Sequence, residues 1–461
     1  ATGDSQYIDV MERGIYNNAI DGVASSGDRF FYVNRLASAG DGRDLRWQHA
    51  SLECCPPNLV RFLASMSGLI YAQDQKGAVF VNLYVSSRAS FVMGGKDVTL
   101  SIRSEMPWGG ASTIAVAVNG DARGAIKLRI PGWARNRPAP GGLYSYVEPL
   151  DRQATVSINQ TTVRAVPDAD GYVTLDRVWR DGDIVSVEFP MAVRTVVADP
   201  RVKACAGRVA IERGPIVYCA EWPEAEGGRV ADLVFAAEAG GVTASHDGPM
   251  HGPTFVHTRA RRMGDPSAAF KPITLIPYHL WANRGAGEMT VWLPTRDYSV
   301  GDVGPAGGVI FYVNPTHAAD GWRFLEAAPA DESGGAKWGC FRTAVAGARG
   351  TAVGTGRQNT LDMLANCDEP ATAAHLCANS RINGVAGWFL PSRDELALMH
   401  QHLAVNGLGD FYTGGKADNV SYWSSSQQDA DMAAHIDFAD SGRQHVDDKD
   451  FPRRVRAIRA F

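Results

Sequence analysis

Two adjacent cysteines, Cys54 and Cys55, stand directly before Pro56 and Pro57 in the stretch SLECCPPNLVRFLASMSGLIY, residues 51–71. A cysteine thiolate is a nucleophile and a soft metal ligand, and its reactivity follows how far its pKa is lowered. Proline suits the first turn of a helix, because the N–H it lacks is an orphan there anyway. The prolines predict a helix that begins at Pro56 or Pro57. Both sulfurs then lie at its positive end, where unsatisfied N–H groups favour an anion and lower a thiol pKa. Two neighbouring thiolates can reach one ion, and a tetrahedral zinc site needs two more ligands, with His49 and Glu53 the nearest to be tried. Three readings stay open on these residues: a metal site, a reactive thiolate, and small side chains packed in a core.

The elements that must position this pair are helical. After the prolines, Leu59, Phe62, Leu63, Met66 and Ile70 recur at three- and four-residue steps with Arg61 as the one charge, which predicts a mostly buried helix. Upstream, Tyr7, Val10, Met11, Ile15 and Ala19 mark an amphipathic helix that ends near DGVASSGDRF. FFYVNRL then reads as a short strand or extended piece. From Val79 the period changes to two. VFVNLYV, KDVTLSIRS, STIAVAVNG, AIKLRIPGW, GYVTLDRVW and DIVSVEFPM alternate, with Gly- and Asp-containing turns between several of them, and predict an antiparallel sandwich over residues 76–190. A second β-rich stretch covers 191–297, with a polar insert at about 223–270 that the pattern does not assign. Residues 298–461 change composition again. There Ser392 and Glu395 form a capping box ahead of Leu396 and Met399, and RRVRAIRAF predicts a closing strand. The fold class is mainly β with a helical N-terminal segment at residues 1–75.

Composition narrows the function. A chain of 461 residues suggests about three domains. A net charge of -5 gives no reason to expect nucleic acid or an anionic membrane as partner, and no apolar run is long enough for a membrane span. The first residues, ATGDSQYIDV, lack the basic and apolar regions of a signal peptide. The seven cysteines, an odd number, are too few for a disulfide scaffold.

GDSQYIDVMERGIYNNAIDGVASSGDRFFYVNRL, ECCPPNLVRFLASMSGLIYAQ, VFVNLYVSS, ERGPIVYCAEW and ITLIPYHLWANRGAGEMTVWLP, in this order, resemble glycoside hydrolase family 127 over about residues 1–294. The resemblance implies the last helices of an (α/α)6 barrel followed by β-sandwich domains. It also implies retaining hydrolysis of β-L-arabinofuranosides or related plant-type glycans. By position, Cys54 would be the nucleophile and a zinc ligand, Cys55 a second ligand, and Tyr32 a contact to the sugar. The family's acid/base glutamate and its Glu-x-Cys ligand pair would lie upstream of Ala1. The expectation is therefore a fragment, inactive or nearly so by itself.

The later segments YSVGDVGPAGGVIFYV, GWRFLEAAP, KWGCFRTAVAGA, GWFLPSRDEL, YWSSS and VRAIRAF resemble domain of unknown function 1566, found at the end of collagen-like bacterial adhesins. This implies a compact, C-type-lectin-like α+β domain over 298–461 that binds glycans. It would carry a Cys367–Cys377 disulfide or a buried free pair, in a periplasmic or extracellular setting. Trp108 and Trp133 in the first sandwich, and Trp388 and Trp423 in the last domain, are candidate sugar platforms whose better assignment is packing. The alternative function is a non-catalytic carbohydrate-binding or cell-surface adhesion protein.

Overall fold

The computed structural model describes the chain except residues 1–2, 33–34, 41–43, 49–53, 237–241, 266, 415–419 and 440–441. It divides into two compact units, Ala1–Arg296 and Asp297–Phe461.

The first unit is built on the alternating segments. A six-stranded antiparallel sheet runs in the order 161–163, 155–158, 184–188, 111–118, 96–104, 87–93. A four-stranded sheet runs in the order 172–179, 122–129, 79–81, 71–73, and its 79–81/122–129 pair is parallel. Between them lies one core that includes Val79, Leu100, Ile114, Ile126, Trp179 and Val185. The period-2 pattern puts these residues on one face of each strand. Trp133 is buried in this core, and Trp108 packs half-buried against the next one.

An eleven-stranded sheet follows, and it draws on residues outside 191–297. Tyr144–Tyr146 pairs with Val193–Ala198, and Ala37–Ala39 pairs with Glu288–Thr290. The unassigned insert supplies Leu233–Phe235, Thr243–Ser245 and Phe255–Arg262. Among the described residues FFYVNRL forms no strand: Phe30 makes isolated bridges to Val23 and Trp47, and the strand begins at Ala37. Val33 and Asn34 of that segment lie outside the described residues. Cys219 lies in a strand, whereas Cys205 closes a short 3-10 turn.

Helix α1 spans Ser5–Arg13 and helix α2 spans Cys55–Ser65. Both depart from the expected orientation. Tyr7 and Val10 of α1 are exposed, and the helix instead buries Ser5 and Glu12. The reason is electrostatic. Arg129, fully buried on strand Ala122–Arg129, binds Asp9 at 2.6 Å and also holds Glu12, whose other oxygen accepts from Trp133 Nε1 at 3.0 Å. No residue of α2 is buried, and Val60 and Leu63 lie open. Helical spacing fixes which residues share a face, while burial also requires a surface for that face to meet.

The second unit is α+β. It has a three-stranded sheet (309–313, 324–327, 458–460) and a five-stranded sheet (333–336, 453–455, 421–427, 432–437, 444–448). Helix Arg393–His402 carries the capping box: Ser392 Oγ accepts from Glu395 N, and the Glu395 carboxylate accepts from Ser392 N at 2.7 Å. Leu396 and Met399 are fully buried. The chain closes on two short strands, Arg453–Val455 and Ile458–Ala460. Trp388, Trp423 and Ser424–426 are all buried in packing and hydrogen bonds, so they line no open site. The disulfide joins Cys340 to Cys367; Cys377 is a buried free thiol, and the Cys367–Cys377 pairing does not occur. Cys377 sits fully buried in helix Ala373–Asn379.

Candidate active site

Helix α2 begins one residue earlier than the prolines suggest, at Cys55, with Cys54 as the preceding residue in helical conformation. Asn58 Nδ2 donates to the Cys54 carbonyl at 2.7 Å, and Arg61 donates to Asn58 Oδ1 at 2.5 Å, which ties down the first turn. The two sulfurs are exposed and 3.6 Å apart. His49 and Glu53, the ligands to be tried, lie outside the described residues.

The Cys55 thiol is pushed up, chiefly by its hydrogen bond with Cys54, with slight burial and the neighbouring sulfur's charge adding to this. The lowering expected from the helix terminus is therefore overridden at Cys55, because the nearest group is a second thiol rather than a cation. A bound cation reverses this, since it deprotonates a coordinating thiol outright. A tetrahedral zinc with bonds of about 2.3 Å holds two sulfurs about 3.8 Å apart, so the observed separation fits one ion shared by both.

Cys55 lies on the wall of a cavity of about 520 Å³, together with Tyr32, Asn18, Phe31, Leu59 and Phe62. The cavity brings Cys55 and Tyr32 together, whereas Cys54 is not among the residues that line it. Among the described residues that line it, none is a carboxylic acid. Its floor is a six-residue π-helical segment, Gly14–Ala19, which continues α1. Asn17 clamps that segment to the adjoining sheet: its amide donates to Arg13 O and Pro215 O, and its carbonyl accepts from Val217 N, each at 2.8 Å. Gly22 lies close to α2 just beyond: a Cβ there would lie 2.5 Å from Leu59 Cδ2, so the Leu59 side chain would have to shift.

Behind the wall, Phe31 meets Trp281 edge-on at 4.9 Å and carries the Arg46 guanidinium at 4.7 Å. Arg46 is buried and binds Asp21 at 2.8 Å and Trp281 O at 2.7 Å. Burial pushes the Asp21 carboxyl up, against the pull of Arg46. Sequence reasoning missed this pair, which fixes the ring behind the cavity. Its two members lie 25 residues apart with no shared periodicity to betray them.

A second group of ligand-type atoms lies in the other unit, where Cys340, Cys367 and Glu369 fall within 4.8 Å of one another. In reduced form it could hold a metal. In the disulfide state the two sulfurs are spent on each other, and Glu369 accepts from Cys340 N at 2.7 Å.

Residues 1–68 match the model of the GH127 beta-L-arabinofuranosidase catalytic domain, 78–191 that of the GH127 middle domain, and 193–294 that of the family 127 C-terminal domain. These first 294 residues belong to glycoside hydrolase family 127. A non-reducing end beta-L-arabinofuranosidase of Bifidobacterium longum subsp. longum is 32% identical over 322 residues, which cover 62% of this chain and 45% of that protein. A solved GH127 beta-arabinofuranosidase is 39% identical with a TM-score of 0.57, covering 64% of this chain and 46% of the other. A GH127 beta-L-arabinofuranosidase from Geobacillus stearothermophilus T6 is 35% identical with a TM-score of 0.55, covering 63% and 46%. The chain thus spans about half the length of the family 127 relatives it matches.

Proposed function

We propose that the chain is the C-terminal portion of a retaining glycoside hydrolase that acts on β-L-arabinofuranosides or related plant-type glycans, with Cys54 as nucleophile. The observation that carries this reading is the pair of exposed sulfurs 3.6 Å apart at the start of α2, beside a cavity shared by Cys55 and Tyr32, in a family 127 segment. Cys54 and Cys55 would hold zinc, which when bound keeps a coordinating sulfur ionised. Tyr32 offers a ring face and a hydroxyl to the sugar. In the first step the Cys54 sulfur forms a bond to the anomeric carbon as the glycosidic C–O bond breaks and the leaving oxygen takes a proton. Water then displaces the sulfur and releases the sugar.

The proton donor is assigned to a part of the longer protein beyond this chain. General acid help is worth about 10²–10⁴-fold, so this chain by itself is expected to turn over slowly or not at all. Residues 298–461 we assign to a glycan-binding or adhesion accessory domain of the lectin-like kind, working in the periplasm or outside the cell. The Cys340–Cys367 disulfide supports an oxidising setting. A purely non-catalytic adhesion role for the whole chain is the second reading, favoured by that separate compact unit.

The test is Cys54→Ser in the longer protein with an aryl β-L-arabinofuranoside. Loss of turnover with an unchanged melting curve is the expected result. Retained turnover would reject Cys54 as nucleophile.

A further inference from the structure

The five-stranded sheet of the second unit ends on strand Gln444–Asp448, which pairs antiparallel with Met432–Asp437. In that register His445 stands directly opposite His435, with ring centroids 5.5 Å apart and planes 19° from parallel. We infer that the two imidazoles form a binding site for a divalent transition-metal ion of the class of Ni²⁺, Cu²⁺ or Zn²⁺. The site is independent of the sulfurs at positions 54 and 55 and of the function proposed for them.

Two observations carry the inference. The first is spacing. Side chains directly opposite each other on antiparallel strands leave the same face of the sheet. One ion bonded to a nitrogen of each imidazole at about 2.0–2.1 Å holds the ring centres about 5 Å apart. From the observed separation this needs only a rotation of the exposed His445 ring, with both strands in place. The second is an orphaned atom. His435 is 5% exposed, yet its Nδ1 is buried with no hydrogen-bond partner among the described residues. A buried polar atom of this kind calls for a partner, and a coordinated ion supplies one.

The surroundings set the kind of ion. On the inner flank Trp423 meets His435 edge-on at 5.8 Å, its own indole N–H donating to Ala336 O at 2.9 Å. His445 is exposed on the edge strand, so an ion enters from solvent there. The charges along this face cancel: Arg453, which lies over the Trp423 ring, is paired with Asp447, and Asp437 stands opposite Arg443. Among the described residues no cysteine or carboxylate closes on both rings as a third ligand, so water completes the coordination. Imidazole nitrogen suits Ni²⁺, Cu²⁺ and Zn²⁺, whereas Mg²⁺ and Ca²⁺ demand oxygen ligands. A bound ion ties the edge strand to its neighbour through the two side chains.

The experiment uses the full chain with its disulfide intact, carrying Cys54→Ser and Cys55→Ser so that those thiols take up no metal. Ni²⁺ is titrated by calorimetry, and melting is followed with and without it. At about a hundredfold excess over its Kd, Ni²⁺ should raise the second-unit transition by about 5–10 °C, and Mg²⁺ should leave it unchanged. His445→Ala removes an exposed ring, so the fold survives. It should abolish the shift and weaken Ni²⁺ binding more than about tenfold. His246→Ala, at an exposed histidine of the first unit, should change neither. Cu²⁺ electron paramagnetic resonance should show coupling to two ring nitrogens in the parent. That coupling should be lost in His445→Ala and in His435→Gln, each checked for folding by circular dichroism. A Ni²⁺ shift that persists in His445→Ala, or no Ni²⁺ uptake by the folded parent, would overturn the inference. Two-nitrogen coupling retained in both histidine variants would put the ion elsewhere and overturn it too.

Discussion

Replacement of Arg129 by Met is the most informative test of how the candidate site is held. Arg129 is wholly buried, and it pairs with Asp9 and Glu12, whose side chains are 13% and 2% exposed. It also donates to Asn82 O at 2.5 Å. Met fills similar volume yet leaves two carboxylates without their cation, beneath the helix that leads into the cavity floor. Removing one partner of a buried ion pair costs about 3–5 kcal/mol. Arg123, on the same strand, provides an internal control. Its pair with Asp176 at 3.2 Å is more than half exposed on both sides, and such pairs contribute about 0–1 kcal/mol. For a unit of this size, roughly 2 °C per kcal/mol, the first-unit transition should fall by about 6–10 °C in Arg129→Met and by about 2 °C or less in Arg123→Ala. Calorimetry reads the shift, and amide exchange over Ser5–Ala19 should show α1 and the π segment opening first. The triple variant with Asp9→Leu and Glu12→Leu should recover much of the loss, because the buried charge is gone with its partner. Equal shifts in Arg129→Met and Arg123→Ala would refute the account of why α1 turns its polar side inward.

Three further outcomes are expected. Burial pushes His279 down to about 4 and His435 down to about 3, while each would take up a proton near 6.5 when unfolded. Their contribution is complete above about pH 6.5 and is lost as pH falls toward those values, on the order of 3 kcal/mol for His279. Unfolding at pH 7 and pH 4 should show this fall, and a His279→Gln variant with the same fall would contradict it. The disulfide closes a loop with a sequence separation of 27, which chain entropy rates at about 3.5 kcal/mol. Denatured, unreduced protein should expose five thiols, and Cys377→Ser should lower that number to four; no change would mean that Cys377 is bridged. Finally, Val60→Glu and Leu63→Lys on the open side of α2 should change stability by less than about 0.5 kcal/mol, measured by urea denaturation. A loss of several kcal/mol in either would show that this face is packed in solution.

How much of this was legible beforehand depended on what each signal reports. Alternation placed the strands Lys96–Ser104, Ala111–Val118, Tyr172–Trp179 and Ile184–Glu188 with starts within a residue, because a half-buried strand has one wet and one dry face, while the short strands at 144–146, 155–158 and 161–163 went unread. The capping box at Ser392 and Glu395 is a local hydrogen-bond pattern and needs no partner, so it too was readable. The helices were not. Spacing identified the apolar faces of α1 and α2, but burial depends on the surface they meet, and for α1 that surface is Arg129, more than a hundred residues downstream. The eleven-stranded sheet recruits Ala37–Ala39 and Tyr144–Tyr146 from distant sequence, which no local period announces. The Cys340–Cys367 bridge follows from tertiary proximity, whereas the shorter Cys367–Cys377 spacing joins a helix residue that faces the core. The sulfurs at positions 54 and 55 were legible as chemistry, and the Asn17 clamp and the Arg46–Asp21 pair behind them were not.

Titration of the chain with Co²⁺, as a visible substitute for zinc, tests the central claim most directly. If Cys54 and Cys55 share one ion, a thiolate-to-cobalt charge-transfer band should rise to a stoichiometry of one. It should be lost in Cys54→Ser and in Cys55→Ser, and persist in Cys219→Ser. No such band, or one unchanged in both serine variants at positions 54 and 55, would contradict the account.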